Sequence, residues 1–116
     1  MVGPGVHLMV DGLSRLLFTN DYLQAFLRDV VELVGMHVIM GPVVQGGRNK
    51  WDGWVVLAES HAAIHVHQDI AHVDLFSCQW FETDHPIDFI QHRLKLTDMR
   101  IEVLERPMPA ARGGRK

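Results

Sequence analysis

Residues 51–78 read WDGWVVLAESHAAIHVHQDIAHVDLFSC. Three runs stand out within them: Trp54-Val55-Val56-Leu57-Ala58, then Ala62 to His67, then Ala71 to Cys78. The first has the unbroken apolar character of a buried strand, and the other two alternate in polarity as strands with one covered face do. Short polar breaks separate them, so the stretch is expected to fold as an antiparallel meander.

Working outward, Gly5 to Val10 is an apolar run halted by Asp11-Gly12 and is expected to be a first strand. Tyr22, Leu23, Phe26, Leu27, Val30, Val31 and Val34 recur at intervals of three and four, which places them on one side of a helix capped by Thr19 or Asn20 and ended by Gly35. Met36 to Met40 is expected to be a short strand stopped at Gly41-Pro42, and Gln45 to Lys50 a glycine-containing polar loop suited to contact a ligand or partner. Beyond the meander, Pro86 falls in the first turn of a second helix with Asp84 as its cap and Ile87, Ile90 and Leu94 on its buried side. Met99 to Leu104 is the last strand. The order β-α-β-β-β-β-α-β implies an α+β fold, a two-layer sandwich with an antiparallel sheet and two helices on one face. The other face needs cover, so a homodimer is expected.

At 116 residues, 47% apolar and 22% charged, the chain can bury one modest core. Residues 1–106 are expected to form a single domain and residues 107–116 a flexible basic tail. A formal charge of −3 and a pI near 6.2 argue against nucleic-acid binding, which needs clustered Lys and Arg. Neither a basic leader nor a run of about 18 apolar residues is present, so secretion and membrane partners are not expected. A single cysteine, Cys78, points to a free thiol in a reducing compartment, the cytoplasm by default.

Polar groups converge on Glu59-Ser60-His61 and the two strands that follow. With period two, His65 and His67 share one face of their strand, and His72, Asp74 and Cys78 share one face of the next. A turn over Gln68 to Ala71 would set His65 opposite Asp74, His61 opposite Cys78, and Ser60 beside Cys78. On residue chemistry alone three readings stand. The histidines are hydrogen-bonded residues of a half-buried sheet and Cys78 fills space. Alternatively, His65, His67, His72 and Asp74 ligate zinc or iron. In the third, Ser60 or Cys78 is a reactive group served by an imidazole.

The runs Ala58-Glu59-Ser60-His61, Ile64-His65 and Val73-Asp74-Leu75-Phe76-Ser77-Cys78 resemble the processing and catalytic signature of the prokaryotic-type S-adenosylmethionine decarboxylases. His7-Leu8-Met9-Val10-Asp11 resembles that family's opening strand and Arg100 to Leu104 its last. The resemblance implies self-cleavage between Glu59 and Ser60, which turns Ser60 into a pyruvoyl cofactor that holds S-adenosylmethionine as a Schiff base during decarboxylation for spermidine biosynthesis. It implies that His65 moves a proton during processing and that Cys78 returns one to the substrate carbon. No resident metal is implied. Where the family commonly has Thr-Trp-Pro-Glu, this chain has Val66-His67-Gln68-Asp69, so His67 would stack on adenine and Asp69 would accept from ribose. Trp51 and Trp54 are expected in core or dimer packing, and Trp51, beside the glycine loop, is also a candidate to stack on adenine. Where the family has a processing serine or threonine, this chain has Asp52. The departures leave open a pyruvoyl enzyme for another amino acid, such as arginine or ornithine, and an uncut paralogue that binds a ligand or partner.

Overall fold

The computed structural model describes residues 5–106, so the expected tail at 107–116 lies outside the described residues. The elements run β1 (Gly5–Leu13), α1 (Asn20–Leu33), β2 (Val38–Gly47), β3 (Lys50–Leu57), β4 (Ser60–His67), β5 (Ile70–Ser77), α2 (Asp84–Leu94) and β6 (Thr97–Arg106). All six strands join one antiparallel sheet in the order β2-β3-β4-β5-β1-β6, and the two helices cover one of its faces. The α+β sandwich expected from the sequence is the observed fold.

Chain order is preserved from β2 to β5 because each step is a hairpin closed by only two residues: Arg48-Asn49, Ala58-Glu59 and Gln68-Asp69. Turns this short need residues at positive φ, and Arg48 (52°), Asn49 (65°), Glu59 (57°) and Gln68 (58°) supply them. The tight last turn corrects the expected pairing of β4 with β5. His65 stands opposite His72, Ala63 opposite Asp74, His61 opposite Phe76 and Ser60 opposite Ser77. The slip from expectation is two residues, so every side chain keeps its face.

Strand limits differ from the sequence reading in ways that pairing explains. β1 continues through Asp11-Gly12 because these residues pair with His72 and Ala71 of β5. β2 continues through the cis Gly41-Pro42 bond because register shifts between Val38 and Met40, and between Met40 and Val43, accommodate a residue without an N–H on an edge strand. The expected loop at Gln45 to Lys50 shrinks to Arg48-Asn49. Gly46, at φ 138°, lies so close to Lys50 and Trp51 that a Cβ there would meet their backbone.

The core forms between helices and sheet. Helix α1 buries Leu23, Phe26, Leu27, Val30 and Val31, and α2 buries Pro86, Ile90 and Leu94. They pack on Val6, Leu8, Val10, Val55, Ala62, Ile64, Val66, Val73 and Leu75, all no more than 3% exposed. Each fully buried Leu, Ile or Phe contributes roughly 1.5–3 kcal/mol. Gly53 lets α1 approach closely, since a Cβ there would stand 3.0 Å from Leu27 Cδ1 and 3.2 Å from Ile64 Cγ2. Thr19 caps α1 by accepting from the Tyr22 N–H, and Gly35 at φ 74° closes it, with its own N–H and that of Met36 donating to the Glu32 and Val31 carbonyls. The N-cap position of α2 is Thr83, whose side chain makes no capping bond; the Glu82 carboxylate before it accepts from the N–H groups of Asp84 and His85 instead, and the expected cap, Asp84, is the first helical residue.

Candidate functional site

Ser60 opens β4 directly after the two-residue turn, and the residue before it, Glu59, holds a left-handed conformation at φ 57°. A non-glycine residue there stores about 1–2 kcal/mol of backbone strain. The turn forms one wall of a cleft of about 270 Å³ bounded by Gly35 to His37, Ala58 to Ser60 and Ser77 to Gln79. Within it the backbone N–H of Cys78 lies 3.4 Å from Ser60 Oγ, and the Cys78 thiol donates to Glu59 Oε1 at 3.2 Å. The Glu59 carboxylate, as acceptor for the thiol, holds the Cys78 pKa above its ordinary value. Cys78 therefore stays a protonated thiol, the form that can give a proton.

A second constellation lies across the open face. One transverse row reads Gln45, Asp52, His65, His72, Asp11, Arg100 from β2 to β6. His65 Nδ1 is 2.7 Å from Asp52 Oδ1 and His72 Nδ1 is 2.8 Å from Asp11 Oδ1. Each carboxylate fixes the Nδ1–H tautomer and leaves Nε2 free to take a proton, the orientation a general base needs. Two rows away, His61 lies edge-on to His7 and against Phe76, while His7 bonds Asp74 at 3.1 Å. Burial, then the neighbouring His7, lowers the His61 pKa.

The structure thus divides the sequence-predicted residues. Glu59, Ser60 and Cys78 meet in the cleft; Asp52 and His65 meet on the open face. The pleat turns Ser60 and His65 to opposite faces of β4, and five residues separate them by roughly 16 Å along the strand. His67 and Asp69 lie at the far end of β4, His67 exposed beside Lys50 and Ile70, and Asp69 in the turn, where its carbonyl accepts from the Ser14 N–H. Trp51 follows the packing expectation and not the stacking one: it shares the parity of Gly53, Val55 and Leu57, packs in the core at 9% exposure, and has its indole Nε1 buried without a partner among the described residues. Its ring is not available to stack on a ligand. The metal reading does not hold for the described residues, because His65, His72 and Asp74 are each engaged pairwise and no group of three or more His, Cys, Asp or Glu converges.

One residue that nothing in the sequence points to here is His37. It lines the Ser60 cleft because its carbonyl accepts from the Ala58 N–H at 3.4 Å, tying the α1–β2 connection to the Glu59 turn.

Among the described residues no helix is long and apolar enough to cross a membrane. No curated protein matches the sequence. The fold is similar to a crystal structure of the adenosylmethionine decarboxylase from Aquifex aeolicus VF5, with a TM-score of 0.72 and 21% identity over 95% of this chain and 96% of that one. The sequence profile described as S-adenosylmethionine decarboxylase matches residues 6–107, nearly the whole chain, and the chain belongs to that family.

Proposed function

We propose that this chain cleaves itself between Glu59 and Ser60 and then decarboxylates S-adenosylmethionine, a step toward spermidine. The observation that carries the reading is the meeting of Ser60, the strained Glu59 and the protonated Cys78 thiol in one cleft. Ser60 Oγ attacks the Glu59 carbonyl carbon; the peptide C–N bond breaks, the hydroxyl proton passes to the freed nitrogen, and an ester replaces the amide. The Cys78 N–H beside Ser60 Oγ orients the nucleophile for this step. A base then removes the Ser60 Cα proton, Glu59 leaves as a carboxylate, and hydrolysis of the resulting dehydroalanine releases ammonia and leaves a terminal pyruvoyl group. That group supplies an electron sink for decarboxylation. Cys78 gives its proton to the substrate carbon, a role suited to a thiol held in its protonated form.

His65 is the base of the elimination, oriented by Asp52 in place of the family's hydroxyl residue. His65 stands roughly 16 Å along the strand from its own Ser60, so it acts on the Ser60 Cα of a second copy, reached where the Glu59–Ser60 turn lies at the end of the sheet, in a homodimer that covers the open face. From the same partner, His67 and Asp69 hold the adenosyl group. Val66, at the first position of the divergent run, is buried and contributes to the core alone.

Intact mass under denaturing conditions tests the cleavage. The expected result is two fragments meeting at Glu59 and Ser60, the second trapped by hydroxylamine or borohydride, while Ser60→Ala leaves one chain of 13.2 kDa. A single uncut wild-type chain with an ordinary Ser60 would overturn the reading in favour of an unprocessed binding paralogue. Release of carbon dioxide from arginine or ornithine, and not from S-adenosylmethionine, would keep the cleavage and reassign the substrate.

A further inference from the structure

The two edges of the sheet are built differently. Edge β2 is bulged twice and carries Pro42, devices that discourage strand addition. Edge β6 pairs with β1 in unbroken register from Gly5 opposite Arg106 to Asp11 opposite Arg100, and it turns irregular only beyond, where Asp98 adopts φ 51°. Every residue from Arg100 to Arg106 is exposed. On the helix-covered side, Ile101 and Val103 continue the rows of Val10 and Leu8, which are 0% and 1% exposed, yet they remain 39% and 45% exposed. The layer that covers Val10 and Leu8 ends before reaching them. On the open side, Arg100 and Glu102 stand two residues apart, and neither belongs to an ion pair among the described residues.

We propose that β6 pairs antiparallel with β6 of a second copy about Ile101, joining two sheets edge to edge. Symmetric pairing that keeps the helices on one side must centre on a residue, and charge selects among the choices. Centred on Arg100, Arg100 meets itself and Asp98 meets Glu102. Centred on Glu102, two carboxylates meet. About Val103, Arg100 meets Arg106 and Ile101 meets Glu105; about Leu104, Val103 meets Glu105; and about Met99 the pairing runs through Asp98, where the strand turns irregular. About Ile101, Arg100 faces Glu102 twice, while on the other side Ile101 meets Ile101 and Met99 meets Val103. Opposite charges and apolar residues placed directly across a ladder both favour pairing. The apolar strip so formed extends the core of one copy into the next, since Met99 already packs against that core. This interface is separate from the open-face dimer and does not depend on self-cleavage.

Sedimentation velocity of the full-length chain tests it with four proteins: wild type, Arg100→Glu, Glu102→Arg, and the double exchange. Each single reversal places like charges in register and is expected to halve the assembly mass, while the double exchange restores the wild-type mass. Circular dichroism checks that all four are folded, which the exposure of both positions favours. Four equal masses would overturn the proposal, and so would single reversals that dissociate without rescue by the exchange, because rescue is specific to this register.

Discussion

The two faces of the central hairpin are made from the same sixteen residues of β4 and β5, and they could hardly differ more. Toward the helices, Ala62, Ile64, Val66, Ala71, Val73 and Leu75 are buried to within 3%. Toward the open side, His61, His65, His67, His72 and Asp74 alternate with them; His65 and His72 each bond a carboxylate, and Asp74 bonds His7. One strand thus presents buried apolar groups on its even positions and imidazoles on most of its odd ones, so a change on either face should be felt as a different kind of loss. The cleft at the start of β4 takes from both, since Ser60 has core parity and follows directly on the exposed turn at Ala58-Glu59.

The largest effect is expected on the chemical face. His65→Ala removes the base assigned to the elimination, and self-cleavage should slow by about 10²–10⁴-fold, the usual range for a positioned acid–base group. Time courses of intact mass measure it, and an ester that hydroxylamine can cut should accumulate. Co-expression of His65→Ala with Ser60→Ala then locates the base: the first retains its serine, the second its histidine, and cleavage of the first returns only when His65 acts across copies. If His65→Ala cleaves normally and His37→Ala does not, the base comes from the cleft of the same chain.

On the core face, Leu75→Ala should cost about 2–5 kcal/mol of stability, from lost burial and the cavity left behind. Urea unfolding of the uncut Ser60→Ala chain, with and without the second change, reads it without the complication of two fragments. His72→Ala, opposite His65 on the other face, removes one exposed pair with Asp11 and should change stability by only about 0–1 kcal/mol. Similar costs at the two positions would mean that the open face carries structural load, contrary to the division drawn above.

Much of this division could be read in advance, because period two assigns faces without fixing register. The expected β4–β5 pairing is two residues off, and His65, His72 and Asp74 still fall on their observed faces. Strand limits were less legible: Asp11-Gly12 and Gly41-Pro42 look like stops until their partners across the ladder are known. Trp51 and Trp54 lie three apart in one strand and so must face opposite ways, but an apolar run such as Val55-Val56-Leu57 does not say which tryptophan goes inside. Gly53 was the available signal, since an α-helix packed against a strand favours glycine at its closest approach, and Trp51 shares its parity. His37 carried no signal, because only the fold ties its backbone to the Glu59 turn.

The smallest expected effect is also the most local. Glu59 accepts from the Cys78 thiol and faces it with a negative charge, and both terms favour the protonated form. In the uncut Ser60→Ala chain, Glu59→Gln removes the charge and weakens the acceptor, so the thiol should ionise at lower pH. Alkylation by iodoacetamide follows the thiolate. Its rate-against-pH curve should therefore move toward lower pH, with faster labelling at neutral pH, while the fold is unchanged. A curve that stays in place would mean that Glu59 does not hold Cys78 protonated before cleavage. The proton that the proposed mechanism takes from Cys78 would then need another origin for its retention, and the cleft would lose the contact that links Glu59 to the thiol.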